Sequence, residues 1–169
     1  AAGAEAIAVE GGKDVTVVSK NNVADTITVG GTTAAAEKVS VTSTGAAVGG
    51  VNLGAITVNG GTEIAVNQYA GNVVATTNTG AAIAVNGNAS TTTVTVNQSA
   101  INTAGATVVG YAAGTVTITD TNAATAADTI STVTLKNYGA STIASSALST
   151  LNLESTGTTA SGILGLNMT

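Results

Sequence analysis

The chain has 169 residues, only 8% of them charged, and a formal net charge of −5. It holds four Lys but no Arg, His, Cys, Trp, Phe or Pro. This composition argues against imidazole or thiolate catalysis, against ordinary zinc and iron sites, and against the basic or aromatic face that nucleic acid needs.

Apolar residues recur with a period of two rather than 3.6, the signature of strands. In chain order the pairs are Ile7/Val9, Val15/Val17, Ile27/Val29, Val39/Val41, Ile56/Val58, Ile64/Val66, Ile83/Val85, Val94/Val96, Val116/Ile118, Val133/Leu135 and Leu151/Leu153. Residues i and i+2 of a strand point to one face, so each pair predicts a short strand with two side chains in a core. Between the pairs lie Gly-Gly, Asn-Gly and Ser/Thr/Ala tracts, which are turn chemistry. The Ala-rich stretch 121–131, TNAATAADTIS, is the one candidate for a short helix. No apolar run approaches the roughly 18 residues of a membrane-spanning helix, so membrane insertion is not expected.

Three stretches are near-copies: AIAVEGGKDVTVVS (6–19), AITVNGGTEIAVNQ (55–68) and AIAVNGNASTTTVTVNQ (82–98). Such self-similarity predicts an all-β fold, a β-solenoid (parallel β-helix) of short stacked strands. An antiparallel β-sandwich built from hairpins is the alternative, since VNGG and VEGG would also close hairpins. A core of Val, Ile and Ala suits a narrow solenoid, and Asn59, Asn67, Asn86 and Asn97 would form ladders from coil to coil. The uneven spacing of the pairs argues the other way. A coil with two apolar pairs gains about 1.5–3 kcal/mol per buried side chain. That does not offset the ordering of about 20 residues at about 1–2 kcal/mol each. The whole of 1–169 therefore reads as a single β-repeat region, a section of a longer protein.

The acids Glu5, Glu10, Asp14, Asp25, Glu37, Glu63, Asp120, Asp128 and Glu154 are scattered, and read first as solvated corners. No pair suggests acid/base catalysis, and the chain is expected not to be an enzyme. Calcium takes six to eight oxygens from carboxylates, carbonyls and Asn, and the richest oxygen cluster is Asp120 with Asn122 and nearby Asp128. Thr-x-Thr at Thr26/Thr28, Thr93/Thr95, Thr115/Thr117/Thr119 and Thr132/Thr134 would suit ordered water if the ranks shared one flat face.

The stretch 115–159, with its STVTLKNYG and SSALSTLNL wording, resembles a segment of proteobacterial surface-layer (S-layer) proteins and related secreted repeat proteins. The resemblance implies a structural chain of an extracellular bacterial surface layer or filament, with other copies of itself as partners. It also implies a link to type I secretion through calcium nonapeptide repeats. The motif G-G-x-G-x-D is absent, however, and GGKDV (11–15) lacks its second Gly step. An adhesin or passenger stalk that binds a host or glycan partner is the second functional expectation.

Overall fold

A computed structural model of the chain describes residues 5–46, 52–71, 78–100, 111–122, 126–155 and 164–167. The strands are β1 (Ala6–Val9), β2 (Val15–Asn22), β3 (Thr26–Val29), β4 (Lys38–Gly45), β5 (Ile56–Asn59), β6 (Glu63–Ala70), β7 (Asn78–Thr79) and β8 (Ile83–Gly87). They continue as β9 (Thr93–Ala100), β10 (Tyr111–Ala112), β11 (Val116–Asp120), β12 (Thr132–Lys136), β13 (Ser141–Ala144), β14 (Thr150–Glu154) and β15 (Leu164–Asn167). The chain alternates between two sheets. One has seven strands in the order β1-β3-β5-β8-β11-β13-β15, and the other six in the order β14-β12-β9-β6-β4-β2. Every described pairing is parallel, the β-solenoid arrangement rather than the hairpin sandwich.

Each coil thus gives one strand to the seven-stranded sheet and the next to the six-stranded sheet. In the first, Ile7, Ile27, Ile56, Ile83 and Val116 stack in register, and Val9, Val29, Val58, Val85, Ile118 and Ile143 form the adjoining column. In the second, the columns are Val15-Val39-Ile64-Val94-Val133-Leu151 and Val17-Val41-Val66-Val96-Leu135-Leu153. From Ile27 to Leu135 these residues are at most 2% exposed. The pairs from Val15/Val17 to Val133/Leu135 thus lie in the core as their period predicts, while Ile7, Val9 and Leu151 are partly buried and Leu153 is exposed.

The uneven spacing has a simple cause. Coils differ in their connections, while the inward apolar columns keep their register; a register shift between β2 and β4 falls beyond them, between Lys20 and Asn22. Ala6 pairs with Thr26, 20 residues on. Ile27 pairs with Ile56, 29 residues on, and Ile83 with Val116, 33 residues on. Extra residues leave at the corners, so the core columns do not feel them. Three successive connections to the seven-stranded sheet are long, and they meet in a small ladder where Asn52 bridges Thr79 and β7 pairs with β10. Leu53 and Tyr111 are buried there in a second small cluster.

A third inward row, one step beyond the valines of the six-stranded sheet, is polar: Ser19, Ser43, Gln68, Gln98 and Asn137, all buried. Buried amides are costly unless bonded, and these bond to the backbone of the corner. Gln68 Nε2 donates to Gly54 O at 3.0 Å, while its Oε1 accepts Ala81 N at 3.0 Å. Gln98 makes the same pair of bonds with Gly114, at 3.1 and 2.6 Å. Coils stack so closely here that a Cβ on Gly54 would lie 1.9 Å from Asp25 O.

The helix expected over 121–131 does not form among the described residues, of which 123–125 are not a part. Ala126 N donates to Asn122 O, a single turn, and the Asp120 carboxylate takes the backbone of Thr129 and Ile130 that a helix would need. The alternation makes a sharp expectation. Ile56→Ala should cost about 2–5 kcal/mol of stability, as a buried large-to-small change does. Its neighbour Thr57→Ala, outward and half-buried, should change stability by less than about 0.5 kcal/mol. Chemical denaturation of the two variants checks this.

Candidate functional surfaces

The outer face of the seven-stranded sheet is uncharged and small. Its central column reads Ala8, Thr28, Thr57, Ala84, Thr117, Thr142. Thr26/Thr28 and Thr115/Thr117/Thr119 lie on this face, but Thr93/Thr95 and Thr132/Thr134 belong to the six-stranded sheet. The Thr-x-Thr motifs are thus divided between two faces and interrupted by Ala, not gathered in one rank.

The outer face of the six-stranded sheet is polar. Asp14, Lys38 and Glu63 form one rim of a shallow groove of about 530 Å³ whose floor includes Ser40, Ala65 and Thr95. Lys38 Nζ lies 2.9 Å from Glu63, and Lys13 Nζ lies 3.1 Å from Glu37 on the next coil. The Glu63 bond holds the Lys38 ammonium above its usual range, and Asp14 and Glu37 add to it through their charge. Beyond the floor, Asn97 Nδ2 donates to the Tyr69 hydroxyl at 3.3 Å, which donates to Asn67 Oδ1 at 3.2 Å. Asn86 Nδ2 donates to Asn59 Oδ1 at 2.7 Å on the other sheet. Of the four asparagines, Asn59 and Asn86 bond directly from coil to coil, whereas Asn67 and Asn97 are joined through the Tyr69 hydroxyl.

The candidate calcium residues Asp120, Asn122 and Asp128 lie at the end of β11 and in the chain that follows it. Asp120 closes β11 and is 3% exposed. Its Oδ2 accepts Thr129 N at 2.6 Å and Ile130 N at 2.9 Å, and its Oδ1 accepts Asn122 N at 3.2 Å. That carboxylate is committed to its own turn. Asp128 Oδ2 accepts Ser146 N one coil on, leaving its Oδ1 without a bond, as is Asn122 Nδ2, a donor that cannot bind a cation. Among the described residues no group of three or more His, Cys, Asp or Glu side chains gathers.

The acids as a class do something the sequence reading missed. Glu10, Asp14, Asp25 and Asp128 accept backbone N–H groups from the adjoining coil, and Glu37, Glu63 and Glu154 pair with Lys13, Lys38 and Lys136 of the preceding one. They are inter-coil staples rather than free corners. Two N–H groups, of Thr33 and then Thr32, hold the Glu10 carboxyl below its usual range. The signal for the buried glutamines was available: Ile64-Ala-Val66-Asn-Gln68 and Val94-Thr-Val96-Asn-Gln98 keep the inward parity through the Gln.

Among the described residues no strand pairs with the outer side of β2 or β14. Leu153, whose column is otherwise the core, is 47% exposed on β14. No helix among the described residues is long and apolar enough to cross a membrane. No family model matches the chain, and no curated protein matches it.

Asp120→Ala leaves the buried N–H of Ile130 and the half-buried N–H groups of Thr129 and Asn122 without their acceptor and should cost about 1–3 kcal/mol. The loss should be equal in excess calcium and in chelator, read as a shift in melting temperature. A calcium cage would instead make the loss vanish once the ion is removed.

Proposed function

We propose that the chain is a structural, non-enzymatic section of an extracellular bacterial surface layer or filament, joined to other copies of itself. The observation that carries this reading is the pair of parallel ladders in which like apolar residues stack in register from coil to coil. An unpaired strand edge is a template for another strand. A parallel in-register contact between two copies is head-to-tail, and it propagates where its rotation does not close into a ring. The S-layer resemblance of 115–159 supports the same reading. A stalk that displays loops toward a host or glycan partner is the second reading, and the three long connections stacked at one corner favour it, since insertions in repeat proteins collect on a binding face.

Electron microscopy of the purified chain separates the two: ordered sheets or filaments support assembly, dispersed rods support the stalk. Leu153→Lys should abolish or greatly slow assembly while moving monomer stability by less than about 1 kcal/mol, because the site is already half exposed. Assembly that proceeds unchanged in this variant would rule out joining through the β14 edge.

A further inference from the structure

The chain holds two Asn-Gly dipeptides, Asn59-Gly60 and Asn86-Gly87. Asn-Gly is the dipeptide whose side-chain amide is most readily lost, because glycine puts no side chain in the way of its own nitrogen. The two are direct partners in the seven-stranded sheet, with Asn59 of β5 opposite Asn86 of β8. Both asparagines are half-buried, and both glycines are buried.

The fold needs these residue types where they stand. Gly60 turns the corner with a φ of +75°. A Cβ there would lie 2.7 Å from Ala34 Cβ and 2.8 Å from Asn88 Nδ2, and a Cβ on Gly87 would lie 2.7 Å from Ile130 Cδ1. The asparagines carry a one-way chain of donors. Asn86 Nδ2 donates to Asn59 Oδ1 at 2.7 Å, and Asn59 Nδ2 donates to Gly30 O at 3.0 Å. The backbone closes the same junction, since Gly60 N donates to Asn86 O at 2.9 Å.

We propose that Asn59 and Asn86 form a coupled deamidation site, shut while the two coils are stacked and opened by local separation of that corner. The reaction needs only water. The backbone nitrogen of the following Gly attacks the Asn Cγ and closes a cyclic imide. The Cγ–Nδ2 bond breaks, and ammonia leaves, taking up the proton that the Gly N–H gives up. Water then opens the imide at one carbonyl or the other, leaving aspartate or isoaspartate. In the stacked fold the attack on Asn59 is blocked twice. Its carboxamide is held at both ends, and the attacking nitrogen, Gly60 N, is bound to Asn86 O.

Hydrolysis at one position undoes the other. An aspartate at 86 offers no donor to Asn59 Oδ1, so two acceptors face each other. Turning the Asn59 amide over only moves the conflict to Gly30 O. Isoaspartate at 86 routes the chain through Cγ and makes the old backbone carbonyl, the acceptor of Gly60 N, a side carboxylate. The nucleophile and the amide of the Asn59 site are then both released. The reverse coupling is weaker. In the trans peptide the Gly87 N–H points away from the Asn86 carbonyl, toward β11, so β5 has no such hold on it. The site is independent of how copies of the chain assemble.

Peptide mass mapping of the full chain tests this, with aspartate and isoaspartate counted at each site during incubation in mildly alkaline buffer, native and in denaturant. Both sites should hydrolyse at least about tenfold more slowly in the native chain, because each is reached only through local opening. Among native molecules already hydrolysed at Asn86, Asn59 should be hydrolysed more often than in the whole population. Asn86→Asp should raise the native rate at Asn59 by about threefold or more. Asn152→Asp, the same charge change on exposed β14 of the other sheet, should leave that rate as it was. The correlation in the unsubstituted chain keeps the test open if Asn86→Asp does not fold. Intact Asn-Gly in denaturant, equal rates with and without denaturant, independent hydrolysis at the two sites, or an Asn59 rate unmoved by Asn86→Asp would each overturn the coupled site.

Discussion

Parallel strands in register bind every residue to its counterpart one coil away, at a spacing of about 4.8 Å. This constraint governs the rest of the molecule. An inward position must hold a side chain that packs on its own kind above and below, and Val and Ile meet that demand with few rotamers. The columns Ile27-Ile56-Ile83 and Val41-Val66-Val96 show the result. The same constraint makes the corners polar yet tight, because the backbone of one coil lies directly on the next. Gly54 and Gly114 sit where a Cβ would collide with Asp25 O and Ala81 O.

The stacking also explains how so few charges suffice. Exposed ion pairs are worth little individually, about 0–1 kcal/mol. Here Lys13, Lys38 and Lys136 each meet a glutamate of the following coil, so they fix register more than they add stability. Where the interior turns polar, Gln68 and Gln98 use both ends of the amide on corner backbone and act as short substitutes for a ladder bond.

Much of this was legible in the sequence, because strand parity is local. The pairs from Ile7/Val9 to Val133/Leu135 needed only the alternation of side chains. The direction of pairing was not local: VNGG suits a hairpin as well as a solenoid corner, and only the register of Ile56 with Ile27 and Ile83 decides between them. The 121–131 stretch, the one candidate for a short helical turn, does not become a helix among its described residues because alanine propensity is weak beside Asp120, whose carboxylate captures the backbone of Thr129 and Ile130. The acids were read as solvated corners because their partners lie about one coil away, as with Glu10 and Thr32. No spacing rule reveals such a pairing while coil length varies. Among the candidate calcium residues, Asp128 accepts Ser146 N on the next coil, a partner that its place in the sequence does not reveal.

The in-register stack is tested most directly by distances between coils. The chain has no Cys, so paired Cys substitutions can carry spin labels without background. Thr28 and Thr142 lie four strand steps apart in the seven-stranded sheet, and Ala8 and Thr142 five steps. Pulsed electron resonance should give separations near about 19 Å and about 24 Å between those backbone positions, with label length allowed for, growing by about 5 Å per coil. Distances that do not grow with the number of coils between the labels would contradict the parallel stack, and everything argued from it.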